Sequence, residues 1–240
     1  MAKFLTYFFI FSPIVFFGQY PFEKFKSPKY TALKITKFDN GNTIKYSAKK
    51  TSFFNDKSDL EISLNGNYEN WKDTHVHIKS NSKSKKYSEE ILVQGIEGLY
   101  VADFNGDEKK DIKIVCAYMG NGLASLNVRI MYFFQKENKE FTKIAFDDKI
   151  DGNRLERDIN NDGKFEIITM TLQNHKNHNY WLFNVYNFEN DSLICVNKNI
   201  NYPIMIPFLF RNNFKISTKI TREEMLKYEL KLPESFSISK

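Results

Sequence analysis

Asp103-Phe104-Asn105-Gly106-Asp107-Glu108-Lys109-Lys110-Asp111 runs directly into Ile112-Lys113-Ile114-Val115-Cys116-Ala117-Tyr118, and this junction decides the fold. Oxygen-bearing side chains stand at positions one, three, five and nine of the first stretch, the spacing of a loop that curls around a hard cation. The residues after it are apolar and partly β-branched, so the loop opens onto a strand. The pattern returns 55 residues later as Asp158-Ile159-Asn160-Asn161-Asp162-Gly163-Lys164-Phe165-Glu166, followed by a second strand pattern from Ile167 to Leu172. Each copy continues through a loop into an aromatic strand, Val128 to Phe134 or Trp181 to Phe188, and then a polar turn, Lys136 to Lys139 or Glu189 to Asp191. Two copies in register predict an internal duplication of one β unit.

Each loop places carboxylates at positions one, five and nine, and like charges at such separations repel unless a cation neutralises them. With the position-seven carbonyl of Lys109 or Lys164 added, the oxygen count approaches what calcium prefers, whereas magnesium demands a tighter octahedron. A single loop of this kind also reads as an Asx-rich turn that favours left-handed backbone. The repetition favours the cation. An EF-hand is disfavoured, because it needs a bidentate Glu at position twelve and a following helix, and position twelve here is Ile114 or Thr169.

Val101-Ala102-Asp103 through Asp111-Ile112, and Leu155 through Glu166-Ile167, resemble the FG-GAP or VCBS repeat, the calcium loop of integrin-α-type β-propellers. The resemblance covers about residues 95 to 195. It implies Ca2+ held by Asp103, Asn105, Asp107, the Lys109 carbonyl and Asp111, and again by Asp158, Asn160, Asp162, the Lys164 carbonyl and Glu166. It also implies a loop joining two strands of a blade, in proteins whose common work is extracellular binding and adhesion. Two residues depart from the pattern. Glu108 stands where Gly is usual, at a left-handed position that costs a non-Gly residue about 1 kcal/mol, and Glu166 replaces the usual Asp with a longer arm. A closed ring of several blades does not fit roughly 220 mature residues unless the N-terminal part supplies unmarked blades. The expected fold is therefore all-β: propeller-like or partial-propeller antiparallel β repeats with DxNxDG-type calcium loops. A looser similarity, to periplasmic inhibitors of lysozyme-like enzymes, implies an alternative role and assigns no residue.

The remaining sequence frames these loops. Of 240 residues, 16% are aromatic and only ten are glycine, a composition tilted toward strands. Residues 1–18 read as an export signal, with Lys3 before the apolar run Phe4 to Phe17, too short for a membrane span. The expected location is secreted or periplasmic, with no transmembrane span after signal cleavage. Residues 19–90 read as an N-terminal β region containing an Asn40-Gly41 hairpin turn, with an exposed polar loop from Lys79 to Glu90. Residues 91–200 hold the two repeats. In 201–240, Ile204 to Phe210 reads as a strand, and Thr221 with Glu224 forms a capping box for a short helix through Leu230.

The net charge of +6 lies in clusters such as Lys83 to Lys86 that do not share a helical face, so no nucleic-acid partner is expected. Cys116 and Cys195 sit in apolar runs as buried strand thiols, and an oxidising compartment would permit a disulfide between them. His75 and His77 share a strand face while His175 and His178 fall in a loop, and neither pair has zinc-ligand company. No GxSxG elbow, P-loop or HExxH occurs, and carboxylates committed to calcium are poor proton shuttles, so no enzyme activity is expected. The aromatics Tyr132, Phe133, Phe134, Trp181, Phe183 and Tyr186 read as strand core. What remains is an exported calcium-binding module whose partner is an unidentified protein or glycan.

Overall fold

The computed structural model describes residues 19–80, 83–118, 120–150, 154–208 and 213–239; the expected signal segment 1–18 lies outside them. After a short first strand, β1 (Thr31–Ala32), the chain lays down a meander of five: β2 (Thr36–Asp39), β3 (Thr43–Lys50), β4 (Leu60–Asn67), β5 (His75–Ser80) and β6 (Ser84–Ser88). A second meander follows, with β7 (Gly95–Ala102), β8 (Asp111–Ala117), β9 (Asn127–Gln135) and β10 (Phe141–Lys149). The third contains β11 (Ile167–His175), β12 (His178–Glu189) and β13 (Ser192–Cys195), and β14 (Ile204–Pro207) pairs the first part of β12. A single α-helical turn, α1 (Arg222–Leu226), precedes the last strand, β15 (Ser237–Ser239). Among the described residues the result is all-β, with three antiparallel sheets, none of them closed.

The sheets are layered in chain order, and side-chain alternation shows why. Ile44 and Tyr46 of β3, Leu60, Ile62 and Leu64 of β4, and Val76 and Ile78 of β5 form one core with Ile112, Ile114, Met131 and Phe133 of the second sheet. The opposite face of that sheet, with Ile130, Tyr132, Phe134, Ile144 and Phe146, packs on Ile167, Tyr186 and Leu193 of the third. Covered on both faces, β9 is buried almost end to end, so its Val-Arg-Ile-Met-Tyr-Phe-Phe run is continuous rather than alternating. The far side of the third sheet, Ile168, Met170, Phe183 and Val185 with Ile204 and Ile206 of β14, packs with Tyr20 and Phe22. Each large side chain removed from water contributes roughly 1.5–3 kcal/mol before conformational entropy is subtracted.

Both flanks of the second sheet are completed from distant parts of the chain, β1 pairing β7 and β15 pairing β10. Buried charge ties these pieces together. The Glu89 carboxylate accepts from Lys143 Nζ (2.5 Å) and Arg129 Nε (3.0 Å), and Arg129 also donates to the Ser235 carbonyl (2.7 Å) and Asp147 (3.1 Å).

Several expectations change. The polar stretch Lys79 to Glu90 contains the strand β6 rather than only a loop, because Tyr87 alone turns inward while Ser84, Lys86 and Ser88 face solvent. His175 and His178 are not in a loop: they face each other across the β11–β12 hairpin, whose turn residues Lys176 and Asn177 take positive φ (+49° and +64°) in the manner of a type I′ turn. The helix starting at Thr221 has both halves of its capping box but ends at Leu226, before the expected Leu230. The strand thiols stand as expected, Cys116 and Cys195 being free and in different core layers, except that Cys195 is half-buried. Of the six aromatics read as core, five are buried and Trp181 is half-buried. Among the described residues no helix is long and apolar enough to cross a membrane.

Candidate cation loops

The first loop joins β7 to β8, and the Ala102–Asp111 strand pair closes its base. The second is closed in the same way by Arg157 and Glu166, whose backbones exchange two hydrogen bonds (3.1 and 2.8 Å). Its incoming strand is reduced to that bridge and one between Lys26 and Asp158.

Inside, four side-chain-to-backbone hydrogen bonds recur position for position. The position-one Asp accepts from the N–H of position six: Asp103 from Glu108 (2.9 Å), Asp158 from Gly163 (3.2 Å). The position-three Asn accepts from position five: Asn105 from Asp107 (3.3 Å), Asn160 from Asp162 (3.0 Å). Asp107 and Asp162 each accept from the N–H of position seven, Lys109 and Lys164, at 2.9 Å. The position-nine acid accepts from position two: Asp111 from Phe104 (3.0 Å), Glu166 from Ile159 (2.7 Å). Backbone conformation repeats as well, with positive φ at position four (Gly106 +75°, Asn161 +60°) and position six (Glu108 +65°, Gly163 +88°). The duplication therefore extends to loop conformation.

The environments of the acids differ between copies. In the first loop both Asp111 oxygens accept backbone N–H groups, from Phe104 (3.0 Å) and Gln135 (2.8 Å), and Lys109 Nζ lies 3.2 Å from Asp107. Burial, with Asp107 and Asp103 adding to it, holds the Asp111 carboxyl well above the usual range. In the second loop Asp158 is 6% and Glu166 0% exposed, yet Asp158 Oδ1 and Glu166 Oε1 have no hydrogen-bond partner among the described residues. Burial pushes Glu166 up to about 7, and the neighbouring Asp162 and Asp158 push the same way. Buried carboxylate oxygens without a donor are costly, and a cation is one group that satisfies two at once. The second loop thus fits a divalent cation better than the first. Asp103, Asn105, Asp107 and Lys109 are half-buried, while Asn160, Asp162 and Lys164 are exposed. Among the described residues no three His, Cys, Asp or Glu side chains are already drawn together as a metal cage.

Sequence reading passed over the residues that anchor the loops. Phe104 and Ile159, both at position two, are buried in different cores, and Phe104 makes edge contacts with Tyr30 and Tyr132. The signal was present: each is a large apolar residue inside an otherwise polar run. The two loops also touch. A Cβ added to Gly106 would lie 2.9 Å from the Gly163 carbonyl oxygen, so only glycine permits that approach.

Because Glu108 occupies a left-handed position, Glu108→Gly is expected to stabilise the protein by about 1 kcal/mol. A urea titration that shows a lower midpoint for this variant would contradict the strain assigned to that residue. No family model, no curated protein and no solved structure matches the chain, so the loops and the sheets that hold them carry the functional reading alone.

Proposed function

We propose that the chain is an exported, calcium-stabilised β-repeat module that binds a protein or glycan outside the inner membrane and catalyses no reaction. The observation that carries this reading is the pair of buried, partnerless oxygens in the second loop, Asp158 Oδ1 and Glu166 Oε1. Support also comes from the first loop, in which four side-chain-to-backbone hydrogen bonds of the second recur at the same positions. Asp158, Asn160, Asp162, the Lys164 carbonyl and Glu166 would hold one ion, and Asp103, Asn105, Asp107, the Lys109 carbonyl and Asp111 the other. Bound calcium would supply the positive charge that lets these acids stay ionised in a buried setting. Three successive meanders stacked face to face are compatible with a partial propeller, in which neighbouring blades pack in this manner.

The reading is tested by melting the purified protein in calcium and again after chelation. Extracellular-type sites have dissociation constants of about 0.1 to 1 mM, so calcium at about 1 mM should stabilise the fold by about 0.4 to 1.4 kcal/mol per site. Identical transitions in both buffers, with no metal retained on elemental analysis, would remove the calcium reading.

A further inference from the structure

The first sheet turns one face to the core and leaves the other open to solvent, and cross-strand pairing sets the open face in rows. Thr36, Ser47, Ser63 and His77 stand opposite one another on β2 to β5, and Lys86 of β6 ends their row. Ser47, Ser63 and His77 are half-buried, so this row is the floor of a trough. Longer side chains flank it, Phe38 and Lys45 in one neighbouring row, Lys49, Glu61 and Lys79 in the other. The concave space that these residues and Lys34 line measures about 400 Å³. Strands lie about 4.8 Å apart, so a trough that crosses five of them runs for about 19 Å.

Its charge is one-sided. Five lysines, 34, 45, 49, 79 and 86, stand here against the carboxylates of Glu61 and Asp59. Lys49 lies 3.1 Å from Asp59 and 3.7 Å from Glu61, and Lys79 lies 3.8 Å from Glu61. Among the described residues Lys34, Lys45 and Lys86 make no ion pair. Positive charge left over in this way attracts anions. A small anion would meet part of the array, whereas an extended chain charged at intervals meets all of it. The floor adds neutral hydrogen-bonding groups. Ser63 Oγ accepts from Asn65 Nδ2 (3.1 Å), which leaves its own hydrogen to donate, and a 2.6 Å hydrogen bond with Ser84 Oγ fixes the His77 ring. Phe38, 62% exposed, offers an apolar surface at the rim. Single-stranded nucleic acid is held on successive aromatic platforms, but Phe38 is the one aromatic that these five strands turn outward. Glu61 and Asp59 oppose a densely charged polymer. Sugars bearing carboxylates at intervals match the hydroxyl-lined floor, the single aromatic and the spaced ammonium groups together.

We propose that the open face of the first sheet binds a linear acidic glycan, its sugars along the Ser47 and Ser63 floor and its carboxylates beside Lys34, Lys45 and Lys86. The site rests on the glycan branch of the proposed function and names its ligand class, and its residues are not those of the cation loops.

The test is calorimetry on the full purified chain with a hyaluronan octasaccharide, which carries a carboxylate on every second sugar, in calcium and again in chelator. Binding is expected in both buffers. It should weaken about tenfold when salt rises from about 0.01 M to about 0.1 M, as the Debye length falls from about 30 to about 10 Å. Lys34→Glu with Lys45→Glu should weaken it about tenfold or more, whereas Lys215→Glu with Lys219→Glu, an equal change of charge on exposed residues elsewhere, should change it by less than about twofold. Ser47→Phe raises the floor without altering charge and should weaken binding about tenfold at an unchanged melting temperature; if that variant unfolds, the two lysine pairs decide. Binding that survives chelation upholds the site even if the calcium reading fails. Absence of binding by a chain that calcium still stabilises overturns the site and leaves the calcium reading standing. The proposal also falls if both lysine pairs act alike, if binding vanishes on chelation of a chain that stays folded, or if a neutral oligosaccharide binds as tightly. Tighter binding of oligothymidylate or of a chondroitin sulfate octasaccharide would overturn it equally.

Discussion

Glu89→Gln is expected to destabilise the protein by about 3 to 5 kcal/mol, a large share of the total stability of a typical domain. Glu89 is the shared anion of two buried cations, Lys143 at 2.5 Å and Arg129 at 3.0 Å. Removing its charge leaves Lys143 with neutral acceptors alone, the new amide oxygen and the Ser88 carbonyl at 2.6 Å, whereas Arg129 keeps the Asp147 carboxylate and the Ser235 carbonyl. The cost is that of an uncompensated buried ammonium, not the net worth of the ion pair. This distinction makes a second variant informative. Converting both members, Glu89→Leu with Lys143→Met, should recover much of the loss, because a buried pair replaced by apolar groups of similar size is often close to neutral. Urea titration of both variants gives the comparison. A Glu89→Gln protein within about 1 kcal/mol of the parent would show that water reaches the cluster.

The second large effect concerns the loop with the partnerless oxygens. Asp158→Asn combined with Glu166→Gln should weaken calcium binding there by about 100-fold or more, since affinity in such loops follows the charge count of the ligands. The equivalent double change in the first loop, Asp103→Asn with Asp111→Asn, should have a smaller effect, because Asp103 is already engaged by the N–H groups of Gly106, Asp107 and Glu108, and Asp111 by those of Phe104 and Gln135. The metal-free form supplies the discriminating measurement. Asp158 and Glu166 are buried like charges, so neutral replacements should leave the chelated protein as stable as the parent or more so, while calcium no longer raises its melting temperature. If the double variant is instead less stable in chelator, its acids serve a hydrogen-bonding role that calcium does not share.

The strand content was legible because composition and alternation act locally: Ile44, Tyr46 and Ala48 point one way in β3 whatever the sheet packs against. The strand β6 was not, since Ser-Lys-Lys-Tyr-Ser has a single apolar residue and becomes a strand only by pairing with β5. The loops could be found from spacing, which sets neighbours within nine residues. What spacing does not reveal is burial. That Asp111 takes two backbone donors while Asp158 and Glu166 each keep an oxygen unpaired depends on partners and packing outside the motif, such as the Gln135 N–H on β9. The buried ion pair of Lys113 and Glu156 was invisible for the same reason: the two residues lie far apart in the chain and share no pattern. A lone Lys inside Ile112-Lys113-Ile114 was the one hint, because a lysine in a strand buried on both faces needs a counter-ion.

The way the flanks of the first two sheets are finished bears on self-association. A long, flat border of unpaired backbone is a template on which a second chain adds, the route to fibrils and swapped dimers. Here the second sheet terminates in slivers of two and three residues, β1 and β15, and the first in the four-residue, solvent-facing β2 and in β6 with its adjacent Lys85 and Lys86. Lysines read in the sequence as a cluster without a nucleic-acid partner thus sit where charge deters a neighbouring copy from docking its own strand, a safeguard for a chain so rich in phenylalanine and tyrosine.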